Sequence, residues 1–177
     1  MRTLDHLWSS LTRGFPTARE NYAGVLHGWA EIAKNREPFL RLGVADSAWL
    51  DRYLPLLCSF DEAPALEGDD LLHGDLRSDN LCIRGDRAIV FDWNNTCIGN
   101  RRFDLAAMLP SIAHEGGPLP ETFLPDAGVL TVILAGYFAS RAGLPIIPQA
   151  PRVREVQLAQ LKTALPWMCR TLRLPMA

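Results

Sequence analysis

Along most of the chain, apolar residues recur at every third or fourth position. Only one central stretch departs from that rhythm. Leu4, Leu7, Trp8 and Leu11 fall at i, i+3, i+4 and i+7, with Thr3 placed as an N-cap, so the spacing predicts a first helix that Gly14 and Pro16 end. A second helix is predicted over residues 23–35, burying Leu26, Trp29, Ala30 and Ala33, with Pro38 at its exit. A third, over 47–60, turns Trp49, Leu50, Tyr53, Leu54 and Leu57 inward and carries Pro55 as an internal kink. Beyond the central stretch, helical patterns return over 104–114, 129–141 and 153–173. Pro118, Pro120 and Pro125 separate the first two, Pro145, Pro148 and Pro151 the last two, and Pro166 should bend the final helix.

The rhythm breaks at Ala63, where Pro64 and Gly68 interrupt the helical spacing and Leu71 and Leu72 lead into His73-Gly74-Asp75. Two short apolar runs follow, Leu81-Cys82-Ile83 and Ala88-Ile89-Val90-Phe91. Gly85-Asp86 between them is a tight-turn signal, so the runs predict a β-hairpin. The fold class is therefore α+β, mostly helical, with one small hairpin at the centre of the chain.

Composition narrows the function classes. A chain of 177 residues suffices for one domain with a real core. With 48% hydrophobic and 21% charged residues it reads as an ordinary globular protein, and a net charge of -2 gives no reason to expect nucleic-acid binding. No apolar run approaches the roughly eighteen residues a membrane helix needs, and Asp5, His6, Ser9 and Ser10 interrupt any signal-peptide core, so a cytoplasmic protein without membrane contact is expected. Cys58, Cys82, Cys97 and Cys169 form no C-x-x-C pair and fit no zinc spacing; they are expected to be reduced, core or half-buried thiols. Trp8, Trp29 and Trp49 read as core rather than as a ligand platform. Charge is unevenly distributed: residues 61–104 hold ten acids against five arginines, and from residue 141 onward six basic residues meet one acid, Glu155.

The chemistry concentrates in residues 73–80, His-Gly-Asp-Leu-Arg-Ser-Asp-Asn, followed by the hairpin and then Phe91-Asp92-Trp93. Moving a phosphoryl group demands positioning and charge neutralisation more than covalent chemistry. A carboxylate must stand near the incoming hydroxyl, and oxygen donors must hold a divalent cation against the phosphates. Asp75 opens the loop, Asn80 closes it, and the hairpin returns the chain so that Asp92 can lie beside Asn80. Read as isolated residues, these positions also have plain structural explanations. They include a polar turn beside a hairpin, a helix cap at Asp104, a surface arginine at Arg77 and a solvated turn residue at Asp79.

The motif resembles that of the small-molecule kinases related to aminoglycoside phosphotransferases and choline kinases. Protein kinases use H-R-D, an Asn after the same spacing, and D-F-G. Gly74 in place of that Arg, Trp93 in place of that Phe, and the lack of an A-P-E signature point to the small-molecule branch. The specificity of the resemblance lies in residues 73–106. It implies a protein-kinase-like C-terminal lobe divided into a helical segment (1–62), a catalytic loop, hairpin and metal motif (63–104) and a helical acceptor-side region (105–177). It implies ATP as phosphoryl donor and Mg²⁺ as cofactor. Asp75 is then the base for the acceptor hydroxyl, and Asn80 and Asp92 the metal and nucleotide-phosphate ligands. His73 braces the loop, and Asp104, in Phe103-Asp104-Leu105-Ala106, supports it from behind. Arg77 stands where the family commonly has His, and is expected to contact the transferring phosphate.

The resemblance also implies a β-rich N-terminal lobe with a phosphate-covering loop and a pairing lysine, which the residues before His73 do not supply. Lys34, one of two lysines, sits in a helical pattern. Weak Mg-ATP binding, little activity of this chain alone, and self-association or a partner lobe on the uncovered face are therefore expected. The alternative is a non-catalytic, kinase-like module. The acceptor would be a small-molecule hydroxyl. The basic residues from 141 onward favour a neutral or anionic metabolite over a polycationic aminoglycoside.

Overall fold

The computed structural model describes residues 14–176, so the first predicted helix, with Trp8, lies outside the described residues. Among those described, the chain is a mostly helical α+β protein with two small antiparallel sheets. Its helices are α1 (Ala18–Asn21), α2 (Gly28–Lys34), α3 (Glu37–Leu40), α4 (Ser47–Cys58), α5 (Arg101–His114), α6 (Val129–Ala142) and α7 (Val153–Thr171). Its strands are β1 (Asp70–Leu72), β2 (Leu81–Arg84), β3 (Arg87–Val90) and β4 (Cys97–Gly99).

The three longest predicted helices form close to the expected bounds because each carries a continuous apolar stripe. The stretch predicted as one helix over 23–35 is instead broken. Its first half is turn, ending at His27 in the left-handed region (φ 62°), and α2 starts only at Gly28. Pro38 does not mark an exit; it occupies the first turn of α3, where its missing N–H costs nothing. Pro55 and Pro166 both lie inside continuous helices. Asp46 caps α4 by accepting the Trp49 N–H at 2.7 Å.

The helix α6 is the central beam. Val132, Ala135 and Ala139 on one side join Trp29, Phe39, Trp49, Leu50 and Leu161 in one apolar cluster; Leu130, Ile133 and Leu134 on the other join Phe103, Leu109 and Trp167 in a second. The crossing of α2 over α6 is close. A Cβ on Gly28 would overlap the carbonyl of Gly136, and one on Gly136 would stand 2.8 Å from Trp29 Cδ1. That approach lets the Trp29 indole N–H donate to the Val132 carbonyl at 3.1 Å, where the α6 backbone passes.

The hairpin forms as predicted, with Leu81 opposite Val90, Ile83 opposite Ala88, and Gly85 (φ 64°) in the two-residue turn. The second sheet, β1 against β4, pairs Asp70 with Gly99 and Leu72 with Cys97. Of the four cysteines, Cys97 and Cys169 are buried, but Cys58, ending α4, and Cys82, on the hairpin, are exposed, so the expected core or half-buried placement fails for those two. Among the described residues, no helix is long and apolar enough to cross a membrane.

The close crossing makes a direct prediction. Gly136→Ala should destabilise the protein by about 1–3 kcal/mol through overpacking, although Ala is a better helix former by about 1 kcal/mol. A urea unfolding midpoint that rises instead would show that the crossing has room to spare.

Candidate active site

Two short strands position the site. β1 runs into His73, and its partner β4 runs into Asn100, whose side chain accepts the Arg102 N–H at 3.1 Å and starts α5. The register of that pair brings the first turn of α5 under the loop. Asp104, fully buried, accepts the backbone N–H of His73 at 2.7 Å with one oxygen and that of Gly74 at 2.8 Å with the other. A carboxylate is well placed in a first helical turn, where free N–H groups and the helix dipole favour negative charge. Gly74 takes φ 81°, and a Cβ there would collide with the Tyr22 hydroxyl and the Asn95 carbonyl. The Tyr22 hydroxyl donates to the Gly74 carbonyl at 2.6 Å. Burial pushes the Tyr22 phenol well above its ordinary pKa, which keeps that donor proton in place.

His73 is buried, and its two ring nitrogens have different partners. Nε2 donates to the Phe91 carbonyl at 2.6 Å, and Nδ1 accepts the Asp75 N–H at 3.3 Å. A backbone carbonyl can only accept and an amide N–H can only donate, so the pair fixes a neutral tautomer protonated at Nε2. The Trp93 ring meets the imidazole edge-on with centroids 4.9 Å apart. Asn80 donates from Nδ2 to the Asp75 carbonyl at 2.8 Å, which leaves its Oδ1 as the free end. The Phe91 N–H donates to the Asn80 carbonyl at 2.9 Å, continuing the hairpin ladder by one residue. Asp92, next along the chain, sits in the left-handed region (φ 60°, ψ 64°), uncommon for a residue with a side chain, and takes a hydrogen bond from the Asn94 amide.

The loop and the hairpin thus bring His73, Asp75, Arg77 and Asn80 together, with Asp104 holding the loop from behind. Asp92 follows directly on Asn80's cross-strand partner, but among the described residues no hydrogen bond joins Asp92 to Asn80 or Asp75. Arg77 Nε lies 3.2 Å from Asp75 Oδ1 and 3.3 Å from Asp79 Oδ1, off the N–H direction in both cases, so the contacts are ionic without being hydrogen bonds. Burial pushes the Asp75 carboxyl above its usual pKa; the Arg77 guanidinium and the Asn80 amide oppose that shift and do not cancel it.

Asp75 and Arg77 open onto a cavity of about 470 Å³ walled by α5, α6 and α7. Its polar lining includes Asn21, Asn95, Gln157 and Gln160, and its aromatic lining includes Tyr22, Phe103 and Tyr137. None of the arginines or lysines from residue 141 onward lines it, so the last helix contributes glutamines rather than the expected positive charge. A cavity of similar size, about 500 Å³, lies around His27, Glu31, Phe39 and Arg141, and no residue of the 73–80 loop lines it. Sequence reasoning missed Tyr22, Asn95, Tyr137 and the two glutamines. Gln157 and Gln160 carried a usable signal, two uncharged polar residues at i, i+3 on the otherwise apolar buried side of a helix.

The donor set suits a magnesium–phosphate group. Asn80 and Asp92 offer hard oxygen ligands, and Mg²⁺ is commonly held by one or two such groups with phosphates and water completing the shell. Among the described residues, no cluster of three or more His, Cys, Asp or Glu suited to a metal occurs.

Residues 9–145 match the family model described as the phosphotransferase enzyme family (APH). Among solved structures, glucosamine kinase in crystal form B is 20% identical with a TM-score of 0.37; the match covers 88% of this chain and 40% of that one. Crystal form A gives 18% identity and a TM-score of 0.36, covering 91% of this chain and 38% of the other. The chain therefore spans less than half the length of these structures. No curated protein matches.

The environment of Asp75 sets a pH signature. A carboxyl whose folded pKa is raised contributes stability that is full below its unfolded value, about 3.9, and lost as pH rises through the folded value. Asp75→Asn should therefore raise Tm at pH 7, and the gain should vanish as pH falls below the ordinary carboxylate range. A gain that persists at low pH would place its origin elsewhere than in the buried charge.

Proposed function

Because the chain belongs to the phosphotransferase enzyme family, we propose that it transfers the terminal phosphoryl group of ATP to a hydroxyl of a small molecule. One observation carries this reading. Asp75 lines a cavity of about 470 Å³ on a loop pinned from behind by Asp104, with Asn80 donating to its carbonyl and the hairpin returning Phe91, the residue before Asp92, to the Asn80 carbonyl.

The acceptor enters the cavity and presents its hydroxyl to Asp75. Partial burial makes that carboxylate a stronger base than one in water, suited to orienting the hydroxyl and taking its proton. The acceptor oxygen forms the new bond to phosphorus as the bond from phosphorus to the leaving diphosphate oxygen breaks. Asn80 Oδ1 and the Asp92 carboxylate would hold Mg²⁺, which neutralises charge on the phosphate oxygens. Arg77, ionically tied to Asp75 and Asp79, is placed to swing onto the transferring group, where a cation lowers the cost of developing charge. His73 and Asp104 touch no substrate; they hold the backbone of residues 73–75. The exposed apolar side chains of the hairpin and its exit, Ile83, Ile89 and Phe91, offer a face for the adenine and for whatever covers it.

Two measurements test this. Calorimetric titration with ATP should give weak binding that requires Mg²⁺ and is abolished by Asp92→Ala; binding indifferent to both would remove Asp92 from the metal site. Under conditions of turnover, with a β-lobe supplied separately if needed, Arg77→Ala should lower kcat by about 10²-fold. Unchanged kcat would exclude Arg77 from the chemistry, and an acceptor that binds without any nucleotide turnover would favour a non-catalytic binding module.

A further inference from the structure

The last helix and the 73–80 loop each bring one buried polar atom without a hydrogen bond to the cavity that Asp75 lines. Gln160 is 5% exposed, and its Oε1 is buried with no hydrogen-bond partner; Arg77 Nε is also buried without a hydrogen bond, its contacts to Asp75 and Asp79 being ionic only. Buried polar atoms are nearly always paired, so such orphans ask what completes them. Both side chains line the cavity of about 470 Å³ that contains Asp75, and both also line an adjoining one of about 200 Å³. One orphan is an acceptor and the other a donor. A hydroxyl is the group that serves both, giving its proton to Gln160 and a lone pair to Arg77. Nearby, Gln157 is committed through Oε1, which accepts from Arg154 at 2.9 Å, leaving its amide N–H pair to donate to a second oxygen.

The charge of the larger cavity points the same way. Its lining holds one acid and one base, Asp75 and Arg77, which lie 3.2 Å apart and offset each other. A cationic ligand would find no spare carboxylate there, and an anionic one no spare cation. Tyr22, Phe103 and Tyr137 supply aromatic faces against which the C–H face of a ring can pack. The volume falls in the range typical of small-molecule sites.

Resting on the phosphotransferase reading for the role of Asp75, we propose that the acceptor is an uncharged, polyhydroxylated ring. Gln160 and Gln157 read its hydroxyls, and the cavity discriminates against amino and phosphorylated analogues. Gln160 is a specificity-determining residue in this scheme, not a catalytic one.

The test is ligand-observed saturation-transfer NMR on the full chain with four probes: D-glucose, myo-inositol, D-glucosamine and glucose 6-phosphate. The native chain should bind at least one uncharged probe about tenfold more tightly than either charged one, the effect of one unpaired hydrogen-bonding group. Gln160→Met, which keeps the side-chain volume, should weaken the uncharged probes by about tenfold while melting cooperatively, and Gln160→Glu should shift the preference toward the amine. Equal or tighter binding of glucosamine or glucose 6-phosphate overturns the proposal. So does Gln160→Met that folds and binds as the native chain does, since water would then satisfy Gln160. The first arm needs no variant. The two readings fail separately. Asp92-dependent ATP binding with no uncharged probe bound sinks this inference alone, whereas selective polyol binding with no phosphoryl transfer from ATP even when a β-lobe is supplied sinks the phosphotransferase reading and leaves the cavity's selectivity standing.

Discussion

A single buried carboxylate fixes the geometry of the loop. Asp104 is inaccessible to solvent, yet it is charge-bearing, and taking an ionised carboxylate out of water costs several kcal/mol unless donors replace the lost hydration. The replacements include the N–H groups of His73 and Gly74, one on each oxygen. Those two amides are the backbone immediately before Asp75, so the group that needs solvation and the segment that needs fixing satisfy each other. Leaving both amides buried without an acceptor would cost about 1–3 kcal/mol each, which makes the arrangement hard to relax in pieces.

The surrounding structure follows from the need to bring these parts together. Asp104 reaches the loop because β4 pairs with β1 in a register that sets Leu72 against Cys97, so that one strand enters the loop as the other enters α5. The same closeness raises the Cys97 thiol to about 11, first through burial and then through the nearby Asp104 charge, so that cysteine is held as an inert neutral thiol. Gly74 is required where the Tyr22 hydroxyl and Asn95 carbonyl press against the loop, since no side chain fits there and the backbone is left-handed. His73 closes the circuit on the other side, tying the loop to Phe91 and hence to the end of the hairpin that carries Asp92.

Function builds outward from that fixed loop in two directions. Toward the hairpin lie the oxygen donors of Asn80 and Asp92 and an exposed apolar face of Ile83, Ile89 and Phe91. Toward α6 and α7 lies a cavity whose charges cancel and whose open polar atoms are amide groups. The two sides meet at Asp75, where a hydroxyl and a phosphate would have to meet. Arg77 belongs to both, since it is ion-paired to Asp75 and also lines the cavity. Its guanidinium is therefore held near the reacting centre without being spent on a hydrogen bond to either aspartate.

Much of this was legible in the chain because the signals were local. A 3.6-residue apolar rhythm specifies α4, α6 and α7, whose stripes need only an adjacent apolar surface. Gly85-Asp86 between two strand-like runs specifies the hairpin, because a two-residue turn sets the register of strands joined by it. The loop from His73 to Asn80 is local in the same sense, since the hairpin that follows it returns Phe91 to the Asn80 carbonyl. The rest depended on contacts between distant residues. Three-residue strands such as β1 and β4 are too short to show alternation, and their pairing is settled by burial against α5 rather than by any turn. The stretch 23–35 reads as one helix until the chain must turn at His27 to bring Gly28 onto Gly136. Tyr22, Asn95, Gln157 and Gln160 carry no motif; they become part of a site only when three helices and a loop enclose the same space. Local periodicity and turn chemistry determined the elements and the reactive loop, while the long-range closure of the chain decided which side chains face Asp75.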